Sequence, residues 1–310
     1  MTLTVLFAAS NENWQTYSAP LADALERADL DAQLVTIAAP EDVDYIVYAP
    51  TSSLQDFAPF VNCKAVLSLW AGVEKVVENQ TLTMPLVRMV DPGMTQSMTE
   101  WVVGHVLRYH LGMDAHIVNP ERDWVPVAAP LAQERRVCIL GLGALGTDAA
   151  LRLRDLSFDV SGWSRSPKSL AGITTYHQPG GLKKALSEAE IVVLLMPDTA
   201  ETENTLNAET LAMLPKGARI LNPGRGPLID DEALLNALNS GQVGHATLDV
   251  FRLEPLPQDH PYWSHPNVTV TPHIAAATRP ITSSQEIVAN IRRSETGAPM
   301  LNMVDRTRGY

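Results

Sequence analysis

The run Val137-Cys138-Ile139-Leu140 leads without a break into Gly141-Leu142-Gly143-Ala144-Leu145-Gly146 and then into residues of helical period. No other feature constrains the chain as much, because strand, tight glycine turn and helix together make the first half of a parallel βαβ unit. Gly141 is expected to form the turn, Gly143 to let an anion approach the backbone, and Gly146 to bring helix against strand. The amides that open the helix, at Ala144 and Leu145, would then face a pyrophosphate. A glycine turn that serves packing alone is the weaker reading, given a strand before it and a helix behind it.

The same alternation runs through the whole chain. Strands are predicted at 4–8, 32–37, 45–48, 65–69 and 86–89, with helical periodicity between them, as at 18–28. A second round is predicted at 137–140, 160–163, 191–195, 219–221, 246–250 and 268–270. Alternation of this kind implies an α/β fold of two doubly wound parallel-sheet units, Rossmann- and flavodoxin-like, with ligands in the cleft between them. The predicted division is 1–98 for a substrate-binding domain, 99–281 for a dinucleotide-binding domain, and 282–310 for a closing helix and tail that return to the first. The apolar stretch 97–111 reads as a buried helix joining the units, and 281–294 as the closing helix after Pro280.

Composition excludes several classes. A formal charge of −12 argues against nucleic acid and anionic membrane surfaces, so an anionic substrate must be drawn in by local arginines. Cys63 and Cys138 are the only cysteines, which argues for a reduced, cytoplasmic setting rather than a disulfide framework. Residues 1–7 form a short apolar run without a basic leader, expected to be a first strand and not a signal peptide. No uninterrupted apolar run reaches the roughly 18 residues that a membrane span needs, and no metal-ligand spacing is apparent.

The second strand of the dinucleotide unit selects the cofactor. An NAD site places Asp or Glu about 20 residues past the glycine turn, on the ribose 2′-hydroxyl. Here that place reads Gly162-Trp163-Ser164-Arg165-Ser166-Pro167-Lys168, with no acid, and Asp159 comes too early. Arg165, the hydroxyls of Ser164 and Ser166, and Lys168 are suited to a 2′-phosphate, so NADPH is expected over NADH.

Three further segments follow predicted strand ends: Asn222-Pro223-Gly224-Arg225-Gly226, Leu248-Asp249-Val250-Phe251 with Glu254-Pro255, and Thr271-Pro272-His273-Ile274. Ligands of open α/β sheets bind at such ends. An arginine, a carboxylate and a histidine there supply an anion clamp, a charge partner and a proton carrier. Singly, each has a plainer reading: a packing histidine, a loop carboxylate, or an Arg225–Asp230 surface pair. His105 and His110 on the long helix read as structural or exposed, Met94 and Met98 as core, and 230–232 as a helix start.

Together with the glycine turn, these segments closely resemble the D-2-hydroxyacid dehydrogenase family. Ala71-Gly72-Val73, Trp163-Ser164-Arg165-Ser166 and the closing 304–310 segment point to its glyoxylate/hydroxypyruvate reductase A branch. The resemblance implies an oxidoreductase that reduces small 2-keto acids with NADPH, NADH serving less well, and a homodimer built on the cofactor domain. By the same resemblance, Arg225 would bind the substrate carboxylate and carbonyl oxygen, and His273 would donate the proton. Glu254 would orient the imidazole and favour its charged form. Asp249 would lie near the nicotinamide carboxamide, with Pro197, Thr202, Pro223 and Gly224 lining the cofactor. The amides of Gly72 and Val73, beside Ala71, would cradle the substrate carboxylate. The chain departs from the branch at Trp70 for glycine, Glu74 for aspartate and Tyr48 for tryptophan, which implies an altered pocket wall in which Trp70 takes over aromatic contact from position 48. A dehydrogenase for another small acid and a cofactor-sensing binding protein are the competing readings.

Overall fold

A computed structural model describes residues 2–307 and 309. Met1 of the opening run and Arg308 and Tyr310 of the closing segment lie outside the described residues. In chain order the elements are β1 (Leu3–Ala8), α1 (Asn11–Arg27), β2 (Ala32–Val35), β3 (Tyr45–Tyr48), β4 (Ala65–Ser68), α2 (Glu74–Val77), β5 (Leu86–Val87) and α3 (Pro92–His110). They continue with α4 (Asp114–Ile117), β6 (Arg136–Leu140), α5 (Ala144–Asp155), β7 (Asp159–Ser164), β8 (Thr174–His177), α6 (Gln178–Glu188), β9 (Ile191–Leu194) and α7 (Ala208–Ala212). Last come β10 (Ala218–Asn222), α8 (Asp231–Asn239), β11 (Val243–Leu248), β12 (Val268–Val270) and α9 (Pro280–Glu295). The chain falls into two compact units, Met94 and everything before it joined with Ala277 onward, and Thr95–Ala276 between. The changeovers at 94/95 and 276/277 lie a few residues ahead of the 98/99 and 281/282 read from the sequence.

The first unit holds a parallel sheet in the order β2-β1-β3-β4-β5. β1, β3 and β4 are buried on both faces, as the inner part of a parallel sheet covered by helices requires, whereas the edge strand β2 is half-exposed. Val5, Phe7, Tyr45 and Val47 pack with Leu21 and Leu25 of α1 and Ile287 and Ile291 of α9. The alternate residues Leu6, Ile46, Tyr48 and Val66 face Phe57, Phe60 and Leu82, which is the period of two expected of a strand. Glu295 fastens α9 to this sheet, accepting hydrogen bonds from Tyr45 Oη at 2.6 Å and Lys64 Nζ at 2.7 Å.

The second unit holds a parallel sheet in the order β12-β11-β10-β9-β6-β7-β8. Cys138 and Leu140 of β6 pack toward Leu186, Leu211 and Leu234 of α6, α7 and α8, whereas Val137 and Ile139 pack toward Val102, Val106, Ala149 and Leu153 of α3 and α5. Winding changes direction between β6 and β9, and such a switch point is where ligands bind in open α/β sheets.

Several boundaries differ from the sequence reading for identifiable reasons. β8 was not predicted, because Thr-Thr-Tyr-His at a half-exposed sheet edge has no apolar run. β5 stops after Val87, since the Arg88 amide turns to Asn302 O at 3.1 Å and the tail covers this edge through a Val87–Met303 bridge. α3 starts at Pro92, ahead of its apolar run, because Asp91 Oδ1 accepts the Met94 amide and caps the first turn. Beyond β2, Ile37 is left exposed. Among the described residues, no helix is long and apolar enough to cross a membrane.

Candidate active site

The glycine turn sits at the switch point of the second sheet. Gly141 has φ +106°, a conformation that glycine alone adopts freely, and its amide donates to Trp163 O at 2.8 Å. A side chain at Gly146 would put its Cβ 1.9 Å from Gly141 O, so the start of α5 can lie this close only without one. Gly143 and Ala144 are exposed, Leu145 is partly exposed, and nothing stands within 4 Å of the place a Gly143 Cβ would take. A pyrophosphate therefore fits here, with room at Gly143 and helix-start amides to receive it.

At the end of β7, Arg165, Ser166 and Lys168 are exposed. Ser164 is buried instead, and its hydroxyl is spent on Ser166 O at 2.8 Å, which leaves Ser166 as the accessible hydroxyl of the pair. Arg165 reaches Glu201 on the loop after β9, at 3.3 Å. Asp159 opens β7 at the opposite end of the strand, out of reach of a ribose at Arg165. On the 197–202 loop, the Thr202 hydroxyl donates to Pro197 O at 2.7 Å and accepts the Thr199 amide at 2.9 Å, so it shapes the loop from within.

The three remaining loops leave β10, β11 and β12 side by side and are laced together. Asn222, 1 % exposed, accepts the Gly224 amide at 3.2 Å and donates to Arg225 O at 2.9 Å. Pro223 and Gly224 are buried behind Arg225, whose guanidinium donates to Gly224 O at 2.7 Å. Asn222 O in turn accepts the Asp249 amide at 3.0 Å. Asp249 is wholly buried, and its carboxylate accepts the Thr271 hydroxyl at 2.6 Å, the Ile274 amide at 2.9 Å and the Ala275 amide at 2.9 Å. Expected beside a carboxamide, it acts in this structure as the clasp of the loop that carries His273. That clasp holds a strained residue, since His273 has φ +54° while its amide donates to Asp249 O at 2.8 Å.

His273 Nδ1 lies 2.7 Å from Glu254 Oε2, and Glu254 Oε1 accepts the Phe251 amide at 2.8 Å. The carboxylate is thus fixed by backbone and fixes the imidazole, placing the proton of the neutral ring on Nδ1. Both side chains remain partly open to solvent. Asp230, the possible surface partner of Arg225, caps α8 instead by accepting the Ala233 amide at 3.0 Å. His105 and His110 are structural: burial pushes both imidazoles below their ordinary value, aided by Arg108 and Arg135 respectively. Met94 and Met98 are core.

In the first unit, Tyr48 is 3 % exposed with its ring edge-on to Phe57 at 5.2 Å, so its side chain is absorbed by the core. Trp70, 40 % exposed, is the open aromatic of that strand-end loop. Ala71 and Gly72 are half-buried and Val73 is buried. Among the described residues, neither the Gly72 nor the Val73 amide donates a hydrogen bond within the protein.

A family model described as the NAD binding domain of D-isomer specific 2-hydroxyacid dehydrogenases matches residues 107–275. The chain belongs to that family. Among curated relatives of this dehydrogenase, the glyoxylate/hydroxypyruvate reductase A of Yersinia enterocolitica is 38 % identical over 279 residues, covering 87 % of this chain and 88 % of the relative. A D-isomer specific 2-hydroxyacid dehydrogenase from Xanthobacter autotrophicus, solved with NADPH and MES, is 40 % identical with a TM-score of 0.92 over 100 % of both chains. An NADPH-dependent glyoxylate/hydroxypyruvate reductase from Sinorhizobium meliloti, solved with NADP and sulfate, is 32 % identical with a TM-score of 0.86, covering 100 % of this chain and 99 % of the other.

Asn222 and Thr271, which tie these loops together, are residues to which the sequence reading gave no role. Asn222 opens a segment already marked for Arg225, and an amide at a strand end before Pro-Gly is a signal that could have found it.

Proposed function

We propose that this dehydrogenase is an NADPH-dependent reductase of small 2-keto acids, taking glyoxylate to glycolate and hydroxypyruvate to D-glycerate, and that it works as a cytoplasmic homodimer. The observation that carries the reading is the 2.7 Å contact of His273 Nδ1 with a carboxylate itself held by the backbone. It leaves Nε2 to serve the substrate.

Arg225 binds the substrate carboxylate and carbonyl oxygen through its forked donors, a geometry lysine does not reproduce. NADPH, when bound, supplies the hydride that the carbonyl carbon accepts. His273 gives its Nε2 proton to the carbonyl oxygen, and Glu254 stabilises the charged imidazole before transfer and holds the ring in place afterwards. Asp249 is a positioning residue, keeping His273 in its left-handed backbone state. Gly72 and Val73 offer unspent amides to the carboxylate, and Trp70 sets how large a 2-keto acid is accepted. Arg165, Ser166 and Lys168 hold the 2′-phosphate, while Pro197, Thr202, Pro223 and Gly224 line the cofactor through their backbone.

Steady-state kinetics on a panel of 2-keto acids with both cofactors test the reading. The expected result is highest kcat/KM with glyoxylate or hydroxypyruvate and NADPH. A higher kcat/KM with NADH, or no turnover of any 2-keto acid, would overturn it.

A further inference from the structure

A second polar site lies in the same unit, at the amino-terminal ends of β9 and β10. A cavity of about 150 Å³ is lined there by Tyr109, Arg135, Glu190, Lys216, Gly217 and Arg219, among others. Roughly 15 Å³ suffices for one water, so this space accommodates a small polyatomic ion with part of its hydration.

The charges around the cavity do not cancel. Glu190 is its only carboxylate, and that carboxylate is fully engaged. Its Oε1 accepts Arg135 Nη1 at 2.9 Å, and its Oε2 accepts the Arg136 amide at 3.0 Å with Arg136 Nε at 3.5 Å. Two lining cations, Lys216 and Arg219, are left without a carboxylate, and Arg135 keeps a spare donor. Arg135 Nε is buried without a hydrogen-bond partner. The Arg219 guanidinium lies over the Tyr109 ring at 5.8 Å, and among the described residues neither it nor the Lys216 ammonium makes a hydrogen bond or ion pair. Neighbouring Arg108 differs, being spent on Asp114 at 2.5 Å and Thr269 at 2.9 Å.

Unspent donors on the half-buried Arg135 and Arg219 are costly, and a chain of net charge −12 has acids enough to neutralise them. His245, paired in register with Arg219, is pushed down to about 4, mainly by burial, with Arg108 and Arg219 adding to the shift and Asp114 opposing it. We infer that Arg135, Lys216 and Arg219 form a binding site for a phosphate group, free or carried as a monoester on a small molecule. Two guanidinium groups suit the oxygens of a phosphate, and the lysine supplies a point charge at the open side. The Gly217, Ala218 and Arg219 amides are taken by Gln242 O at 2.9 Å, Pro215 O at 3.0 Å and Glu190 O at 2.9 Å, so the side chains carry the site. No residue here belongs to the catalytic loops, which leave the opposite ends of the same strands, so this inference and the proposed reaction fail or stand separately.

Calorimetric titration of the NADPH-saturated holoenzyme tests it, with inorganic phosphate and glycerol phosphate as probes at constant ionic strength. The exposed Lys216 is the residue to vary. Saturable phosphate binding is expected, weakened at least tenfold in Lys216→Glu and restored within threefold in Lys216→Arg, with kcat for glyoxylate unchanged in both variants. Equal binding of the two probes would assign the site to a phosphoryl group on either carrier, and binding of phosphate alone to the free ion. Absence of saturable binding by either probe, or an identical titration in Lys216→Glu, would overturn the proposal.

Discussion

At the scale of single residues, the account rests on charge placed against charge. Glu254 has one oxygen on the Phe251 amide and the other on His273. Glu254→Gln keeps the shape and removes the charge that stabilises an imidazolium. We expect kcat to fall about 10²-fold, within the range that positioned proton transfer supplies, with Kd for NADPH and Tm close to the parent. Unchanged kcat would remove Glu254 from the mechanism. Arg165 is exposed and partnered by Glu201, so only part of a charged hydrogen bond is available to a 2′-phosphate. Arg165→Ala is expected to raise KM for NADPH about tenfold and leave KM for NADH within twofold. Equal effects on both cofactors would show that Arg165 does not discriminate between them. The position of these residues on strand-end loops was legible from the sequence, because each follows a predicted strand with a residue type that has few other uses there. Ser164 and Tyr48 were not legible in detail, because one residue decides whether a side chain at a strand end points into the core.

At the scale of elements, the glycine turn was readable because its three glycines answer separate geometric demands, two of which appear as φ +106° at Gly141 and a backbone oxygen 1.9 Å from a would-be Cβ at Gly146. The strands were readable where both faces are buried, as in β3, β6 and β9. β8 escaped notice because an edge strand of polar residues carries no such signal. The task of Asp249 was equally hidden, since nothing in Leu-Asp-Val-Phe says that its carboxylate gathers a hydroxyl and two amides from a loop more than twenty residues on. Asp249→Ala leaves the buried Ala275 amide unpaired, at a cost of about 1–3 kcal/mol, and releases His273 from its left-handed state. The expected result is a lower Tm together with a kcat reduced at least tenfold, while Kd for NADPH changes less than threefold. A variant with lowered Tm but parental kcat would show that the clasp serves stability alone.

At the scale of the whole molecule, titration bears most on its buried and half-buried histidines. In the folded state, burial holds His105, His110 and His245 below the ordinary imidazole value near 6.5, His245 at about 4. The unfolded chain therefore binds more protons between about pH 4 and 6.5, and stability must rise with pH across that window. Tm is expected to fall steadily from pH 7 toward pH 4.5, and His245→Gln to fall less steeply. A Tm flat across that range would contradict the neutral, buried state of these rings. The two-unit α/β architecture was legible at this scale from alternation alone, whereas the position of each changeover was not, because α3 begins with a capped, polar first turn ahead of its apolar run. The central claim is that His273 is the proton donor for 2-keto acid reduction. Its most direct test is the single-turnover oxidation of enzyme-bound NADPH by glyoxylate in the parent and in His273→Asn. The account expects rapid oxidation in the parent and a rate at least about 10²-fold lower in the variant, with Kd for NADPH preserved. A variant rate within twofold of the parent would contradict it.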